Sequence, residues 1–198
     1  VRNHAKAIIH AWYPGSQGGL AIAKTISGEN NPCGKLPVTI YDGEHPLPDF
    51  TDYNMKGKTY RFIEGDALYP FGYGLSYTKF QYSDAKVLEK TDDNIKVSVN
   101  VKNIGDRAGI EKTQIYAQYT DSRTTTPHFQ LCGIKSTNLE AGETKNVTID
   151  IDTYWIKAVL EDGQRVTPNG KITLYIGGHQ PDKRSNELLG YECEKIEL

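Results

Sequence analysis

The segment Asp52-Tyr53-Asn54-Met55-Lys56-Gly57-Lys58-Thr59-Tyr60-Arg61-Phe62 alternates charged side chains with aromatic rings. Those residue types suit a carbohydrate: ring faces stack on the apolar C–H side of a pyranose, while Asp, Lys and Arg hydrogen-bond its hydroxyls. If any part of the chain approaches a sugar, Tyr60 and Arg61 are the residues expected there. The same composition also serves a long loop crossing between two domains, where rings pin the backbone and charges keep it soluble, and this is the plainer reading. Four acids lie nearby, Asp42, Glu44, Asp49 and Asp52, but beside Pro46 and Pro48 they read as a solvated loop and none is assigned a catalytic role.

No other side chains group into a reactive set. His4, His10, His45, His128 and His179 lack the spacing of metal ligands and read as surface or packing residues. Cys33, Cys132 and Cys193 are odd in number, widely spaced and without a Cys-x-x-Cys pair, so they read as buried or free thiols. Neither a metal ion nor a cofactor is called for. The sequon Asn146-Val147-Thr148 is usable only in a secreting eukaryote.

The elements that position these residues fall into two halves of different character. Ala5 to Tyr13 is a short apolar run stopped by Pro14-Gly15 and is expected to be a strand. Leu20, Ile22, Ala23 and Ile26 have helical spacing, predicting a helix over Ser16 to Ser27 with Gly28 just past its end. A second strand is expected at Leu36 to Ile40, completing a β-α-β unit, the truncated edge of an α/β sheet whose other strands are not in this sequence. Such an edge should leave apolar surface open on residues 1 to about 40.

From Phe80 the period becomes two, as in Val97, Val99 and Val101 or Val147, Ile149 and Ile151. Further strands are expected at Phe80 to Leu88, Ile115 to Tyr119, Gln130 to Ser136, Trp155 to Leu160 and Lys171 to Ile176. Together these predict a mainly β protein with an immunoglobulin-like sandwich of two antiparallel sheets. Between the halves lies Tyr69-Pro70-Phe71-Gly72-Tyr73-Gly74-Leu75-Ser76-Tyr77-Thr78, which packs four rings and two spaced glycines into a junction that can turn sharply and still be buried.

Composition narrows the function classes. A formal net charge of -2 with scattered lysines leaves no electrostatic footprint for nucleic acid. The longest apolar stretch falls far short of the ~20 residues that cross a bilayer. Val1 begins the sequence and Met55 is its only methionine, so a fragment or processed piece is expected.

Taken in order, Trp12-Tyr13-Pro14-Gly15-Ser16-Gln17-Gly18-Gly19, Asn31-Pro32-Cys33-Gly34-Lys35-Leu36-Pro37-Val38-Thr39 and Pro70-Phe71-Gly72-Tyr73-Gly74-Leu75-Ser76-Tyr77 resemble the C-terminal third of glycoside hydrolase family 3. Cys33 stands where a serine is usual, which leaves the resemblance intact. The resemblance implies residues 1–68 as the end of an α/β sandwich domain, 69–77 as the junction and 78–198 as a fibronectin type III-like β-sandwich. It further implies a retaining β-glycosidase acting on terminal β-D-glucosyl, β-D-xylosyl or α-L-arabinofuranosyl residues through two carboxyl groups. Neither carboxylate matches a residue of this chain. Both would belong to the upstream barrel and α/β domain of the same enzyme, the expected partners, and the piece alone is expected to be inactive. The competing reading is a free-standing β-sandwich module that binds carbohydrate or protein.

Overall fold

The structure, a computed structural model, describes residues 4–43 and 48–198, so that Glu44, His45 and Pro46 lie outside the described residues. Helix α1 covers Gly18–Ser27 and ends on Gly28, whose φ of 80° lets its N–H return to the Thr25 carbonyl at 3.1 Å. Only a residue without a Cβ adopts that conformation at little cost, so the sequence's stop signal and the observed stop coincide. The helix buries no apolar side chain fully: Leu20 and Ile26 remain exposed.

The two segments flanking α1 differ from expectation. Residues 5–13 form no strand, because no strand among the described residues lies beside them to supply a hydrogen-bonding ladder. Leu36 to Ile40 finds its partner elsewhere. Leu36 N–H donates to the Tyr73 carbonyl at 2.8 Å, Gly72 N–H to Leu36 at 2.8 Å and Ile40 N–H to Tyr69 at 2.9 Å, a short antiparallel clasp onto the junction with one bridge, Ile40 to Tyr69. Beyond it, among the described residues before the junction, the one helical turn is α2 at Thr59–Phe62.

The sandwich begins with β1 (Phe80–Lys90), β2 (Asn94–Asn103), β3 (Gly109–Thr120), β4 (Gln130–Leu139) and β5 (Thr144–Asp152). A small hairpin of β6 (Ala158–Val159) and β7 (Arg165–Val166) follows, then β8 (Lys171–Gly177), helix α3 (Lys183–Leu189) and β9 (Glu194–Glu197). One sheet has the order β1-β2-β5 and the other β4-β3-β8-β9, with every pairing antiparallel. Val97, Val99 and Val101 of β2 oppose Ile149, Val147 and Lys145 of β5, so the two period-two runs read from the sequence share one sheet. Their apolar faces meet Ile115, Ala117, Leu174 and Ile176 of the second sheet in a single core. Burying each such aliphatic side chain contributes about 1.5–3 kcal/mol.

The seventh strand of the sandwich is not the expected one. Trp155 lies in a 3-10 turn over Thr153–Ile156, started by Asp152, whose carboxylate accepts the Tyr154 N–H at 2.8 Å. That local hydrogen bond competes with extended pairing, and the strand reading of Trp155 to Leu160 survives only as two-residue β6. The missing sheet position is filled by β9, which pairs with β8 from Thr173–Glu197 to Ile176–Glu194.

Truncating the core and the turn should separate cleanly. Ile151→Ala, at a position with no exposed surface, is expected to cost about 2–5 kcal/mol in urea unfolding. Trp155→Ala, at a residue 56% exposed, is expected to cost less than about 1 kcal/mol. Equal losses would put Trp155 back in the core.

Candidate functional site

Along β3 the odd-numbered Ile115 and Ala117 enter the core, and Gln114 and Tyr116 point to the opposite face. That face would normally be wet. Here both residues are buried, Gln114 at 1% exposure, because the junction lies over them. The Gln114 side-chain amide donates to the Gly72 carbonyl at 3.0 Å and to the Gly178 carbonyl at 2.9 Å, and its Oε1 accepts the Tyr116 hydroxyl at 2.6 Å. Three buried polar partners are satisfied by one side chain. Gly72 has a φ of 77°, and a Cβ there would stand 2.4 Å from Gln114 Oε1 and 2.5 Å from the Tyr116 hydroxyl. The residue must therefore be glycine on two counts.

A second pin lies at the other end of the junction. Asn31 donates to the Ala108 carbonyl at 2.9 Å, while its Oδ1 accepts the Ser76 hydroxyl and the Tyr77 N–H, each at 2.8 Å. The Tyr77 hydroxyl donates to the Thr25 carbonyl at 2.7 Å, reaching α1 itself. Buried Asn103 completes the anchorage by accepting from Thr78 Oγ1 at 2.6 Å and donating to the Arg107 and Leu139 carbonyls.

Tyr60 stands against this seam. Its ring stacks on Phe71 with centroids 4.1 Å apart and planes 12° from parallel, and it meets Tyr116 edge-on at 6.3 Å. One face of Tyr60 is thus committed to packing. Its hydroxyl accepts the Leu131 N–H at 3.3 Å. Arg61 holds its guanidinium 5.9 Å from the Tyr60 ring centroid, and its carbonyl accepts the His128 N–H at 2.7 Å. Tyr60 lines a cleft of about 390 Å³ with Thr39, Asp66, Gln118, Phe129 and Gln180, whereas Arg61 is not among its lining residues. The sequence did not point to Gln118 or Gln180: Gln118 on alternating β3 looks like any solvated face, and Gln180 lies in the irregular segment between β8 and α3.

The loop acids hold the loop. Asp49 accepts the Thr51 hydroxyl at 2.6 Å and its N–H at 2.8 Å, which lowers its pKa below the usual carboxylate value. Asp52 accepts the Asn54 N–H at 2.9 Å and pairs with Lys58 at 3.5 Å. Glu44 lies outside the described residues. His179 is fully buried, its ring edge-on to Tyr191 at 4.7 Å, and burial lowers its pKa so that the neutral imidazole is favoured. Burial likewise pushes the Cys132 and Cys193 thiols up to about 12, which keeps them protonated. Among the described residues no cluster of His, Cys, Asp and Glu could hold a metal ion.

Residues 1–77 match the glycosyl hydrolase family 3 C-terminal domain, and residues 111–180 match the fibronectin type III-like domain. A xylan 1,4-beta-xylosidase of Xylanibacter ruminicola is 38% identical over 92% of this chain and 21% of its own length. A periplasmic beta-glucosidase of Salmonella typhimurium is 34% identical over 87% of this chain and 25% of its own. Among solved structures, the beta-glucosidase DesR from Streptomyces venezuelae, in complex with D-glucose, superposes with a TM-score of 0.79 at 29% identity, over 94% of this chain and 25% of that one. The chain spans about a quarter or less of these relatives.

The Gln114 amide should behave as the lock of the seam. Gln114→Ala strands the Gly72 and Gly178 carbonyls and the Tyr116 hydroxyl, and is expected to cost about 2–5 kcal/mol, the sum of several unpaired buried groups. In limited proteolysis the variant should be cut first within residues 60–77. A loss below about 1 kcal/mol would mean that water replaces the amide without penalty.

Proposed function

Because the chain belongs to glycoside hydrolase family 3, carrying that family's C-terminal domain ahead of a fibronectin type III-like domain, we propose that it is the C-terminal portion of a retaining β-glycosidase. The substrate class is terminal, non-reducing β-D-glucosyl or β-D-xylosyl residues, with α-L-arabinofuranosyl residues a further member of the range. One observation carries this reading: enzymes named as β-xylosidases and β-glucosidases match this chain continuously across the junction. The pinned seam supports it as well, since Asn31 and Gln114 tie the two halves by buried side chains, which speaks against a separable binding module.

The division of labour follows from what the 198 residues hold. Retaining hydrolysis uses one carboxylate as nucleophile and a second carboxyl group as acid and then base, roughly 5–5.5 Å apart. No acid of this chain is placed in either role; the barrel and the rest of the α/β domain supply both. Residues 1–68 act as the end of the α/β domain, 69–77 as the seam and 78–198 as a sandwich buttress. Tyr60 and Arg61, on the loop that crosses between them, form the part of this piece nearest substrate.

The upstream modules are also the partner that the open face of the N-terminal half fits. Ile8, Ile9 and Trp12 are about half exposed and Tyr13 wholly so. Leu20 and Ile26 of α1 are exposed as well, apolar area of the kind that a folded neighbour would cover.

Two measurements test this. The enzyme with its upstream modules should hydrolyse an aryl β-xyloside or β-glucoside with retention at the anomeric carbon, while the 198-residue chain alone should show no hydrolysis above background. Enzyme-like turnover by the isolated chain would overturn the assignment of both carboxylates to the missing modules. Thermolysin should cut the isolated chain between Ala5 and Ile26 well before it cuts β1 to β9, and Ile8→Ser with Trp12→Ser should reduce self-association in sedimentation. Equal resistance of the two halves would count against an uncovered face.

A further inference from the structure

The alternation that builds the sandwich fails at two places. On β5, Val147, Ile149 and Ile151 enter the core, and the next position of that face is Lys145. On β4, Leu139 is buried and a Cβ at Gly133 would meet Ile149 and Ile115, yet Lys135 shares their face and pairs with buried Thr113. A lysine on an inner face must reach water or a polar partner. Both reach the same kind of partner. Lys135 Nζ donates to the Thr148 carbonyl at 2.8 Å, and Lys145 Nζ donates to the Asn138 carbonyl at 2.7 Å while pairing with Glu143 at 3.1 Å.

Those carbonyls lie on open edges. Strand β4 ends one sheet and β5 ends the other, and although consecutive in the chain they are not paired with each other. A groove of about 370 Å³ separates them, lined by residues 135–138 and 145–147. The two lysines cross it in opposite directions, each closing a carbonyl of the other strand. An unpaired edge carbonyl is what an added strand needs, and an inward-pointing charge on an edge strand refuses one, because pairing would bury the ammonium.

The other sheet edges are protected differently. Strand β1 breaks register with β2 between Ser83 and Lys86 and again between Val87 and Glu89, and Asp84 has a φ of 56°. Strand β9 has 4 residues, of which Glu194, Lys195 and Glu197 are charged. By contrast β4 has 10 residues and keeps unbroken register with β3 from Gly133 to Leu139. Its outer face carries Ile134, 58% exposed, and Ile110 of β3 beside it is 40% exposed. A second β4, antiparallel about a two-fold axis, is self-complementary to this edge and would cover those side chains.

We propose that the outer edge of β4 is a latent dimerisation surface, matched to β4 of a second copy of this chain and held shut by Lys135 and Lys145. The assignment rests on the sandwich alone and is independent of the glycosidase reading.

The test is sedimentation velocity of the 198-residue chain carrying Ile8→Ser and Trp12→Ser, so that the apolar N-terminal surface does not contribute. Adding Lys135→Val and Lys145→Val restores the apolar alternation, and the protein should keep its thermal midpoint, since β-branched residues suit a strand. Its self-association should rise at least about tenfold over the parent, and amide exchange in residues 133–138 should slow as concentration increases. Lys135→Arg with Lys145→Arg, which still donates across the groove, should stay as monomeric as the parent. So should Lys56→Val with Lys183→Val, an equal change of charge away from the edge. Lys145→Thr alone serves if the double valine variant does not fold, with a smaller rise expected. A valine variant that loses stability but stays monomeric would overturn the proposal, making the lysines braces of the corner only. Association without protection at 133–138, or equal association in the arginine or Lys56/Lys183 variants, would overturn it as well.

Discussion

The arrangement of the whole chain turns on the Gln114 side chain. It sits on the outer face of β3, where alternation would place a solvated residue, and joins the junction at Gly72 to the end of β8 at Gly178. Remove that amide and three buried polar groups lose their partner at once, while the outer face of the sandwich loses the reason to be covered. The junction in turn carries the clasp with Leu36 to Ile40 and, through Phe71, the Tyr60 stack. The N-terminal half is thus ordered from the sandwich outward.

This explains why two halves so unequal in packing coexist. The sandwich closes its own core, with Val101, Ile115, Leu139, Ile151, Leu174 and Ile176 at no exposure. Helix α1, by contrast, is fixed by its ends and by hydrogen bonds from the junction rather than by a buried face. A helix of 10 residues has little stability of its own in water. Its persistence depends on the Tyr77 hydroxyl at the Thr25 carbonyl and on whatever covers Leu20 and Ile26.

The legible parts of the sequence were those governed by one dominant period or one forced conformation. Val97, Val99 and Val101 gave their strand because their alternation is unopposed, and Gly28 gave the end of α1 because φ there is positive. Trp155 misled because an aromatic, β-branched stretch has strand propensity, whereas the deciding force was a hydrogen bond from Tyr154 to the Asp152 carboxylate. Strand β9 was invisible for the opposite reason: Glu194-Lys195-Ile196-Glu197 is charged, and only the open edge of β8 makes it a strand. Tyr60 drew notice by residue type, but its neighbours across the cleft did not: Gln180 is buried by chain far away in sequence, and Gln118 faces Tyr60 only because the strand order puts it there.

The seam also limits what Tyr60 can do. A ring stacked at 4.1 Å on Phe71 has one face left, and the Leu131 N–H fixes the orientation of its hydroxyl. Such a ring cannot swing to meet a ligand; a ligand must come to it. Rigidity of that kind lowers the ordering cost of binding, because the side-chain entropy has already been lost in folding. The same stack that ties the loop to the sandwich therefore pre-orients the aromatic wall of the cleft, and one set of contacts serves both the joining of the two halves and the shape of the surface between them.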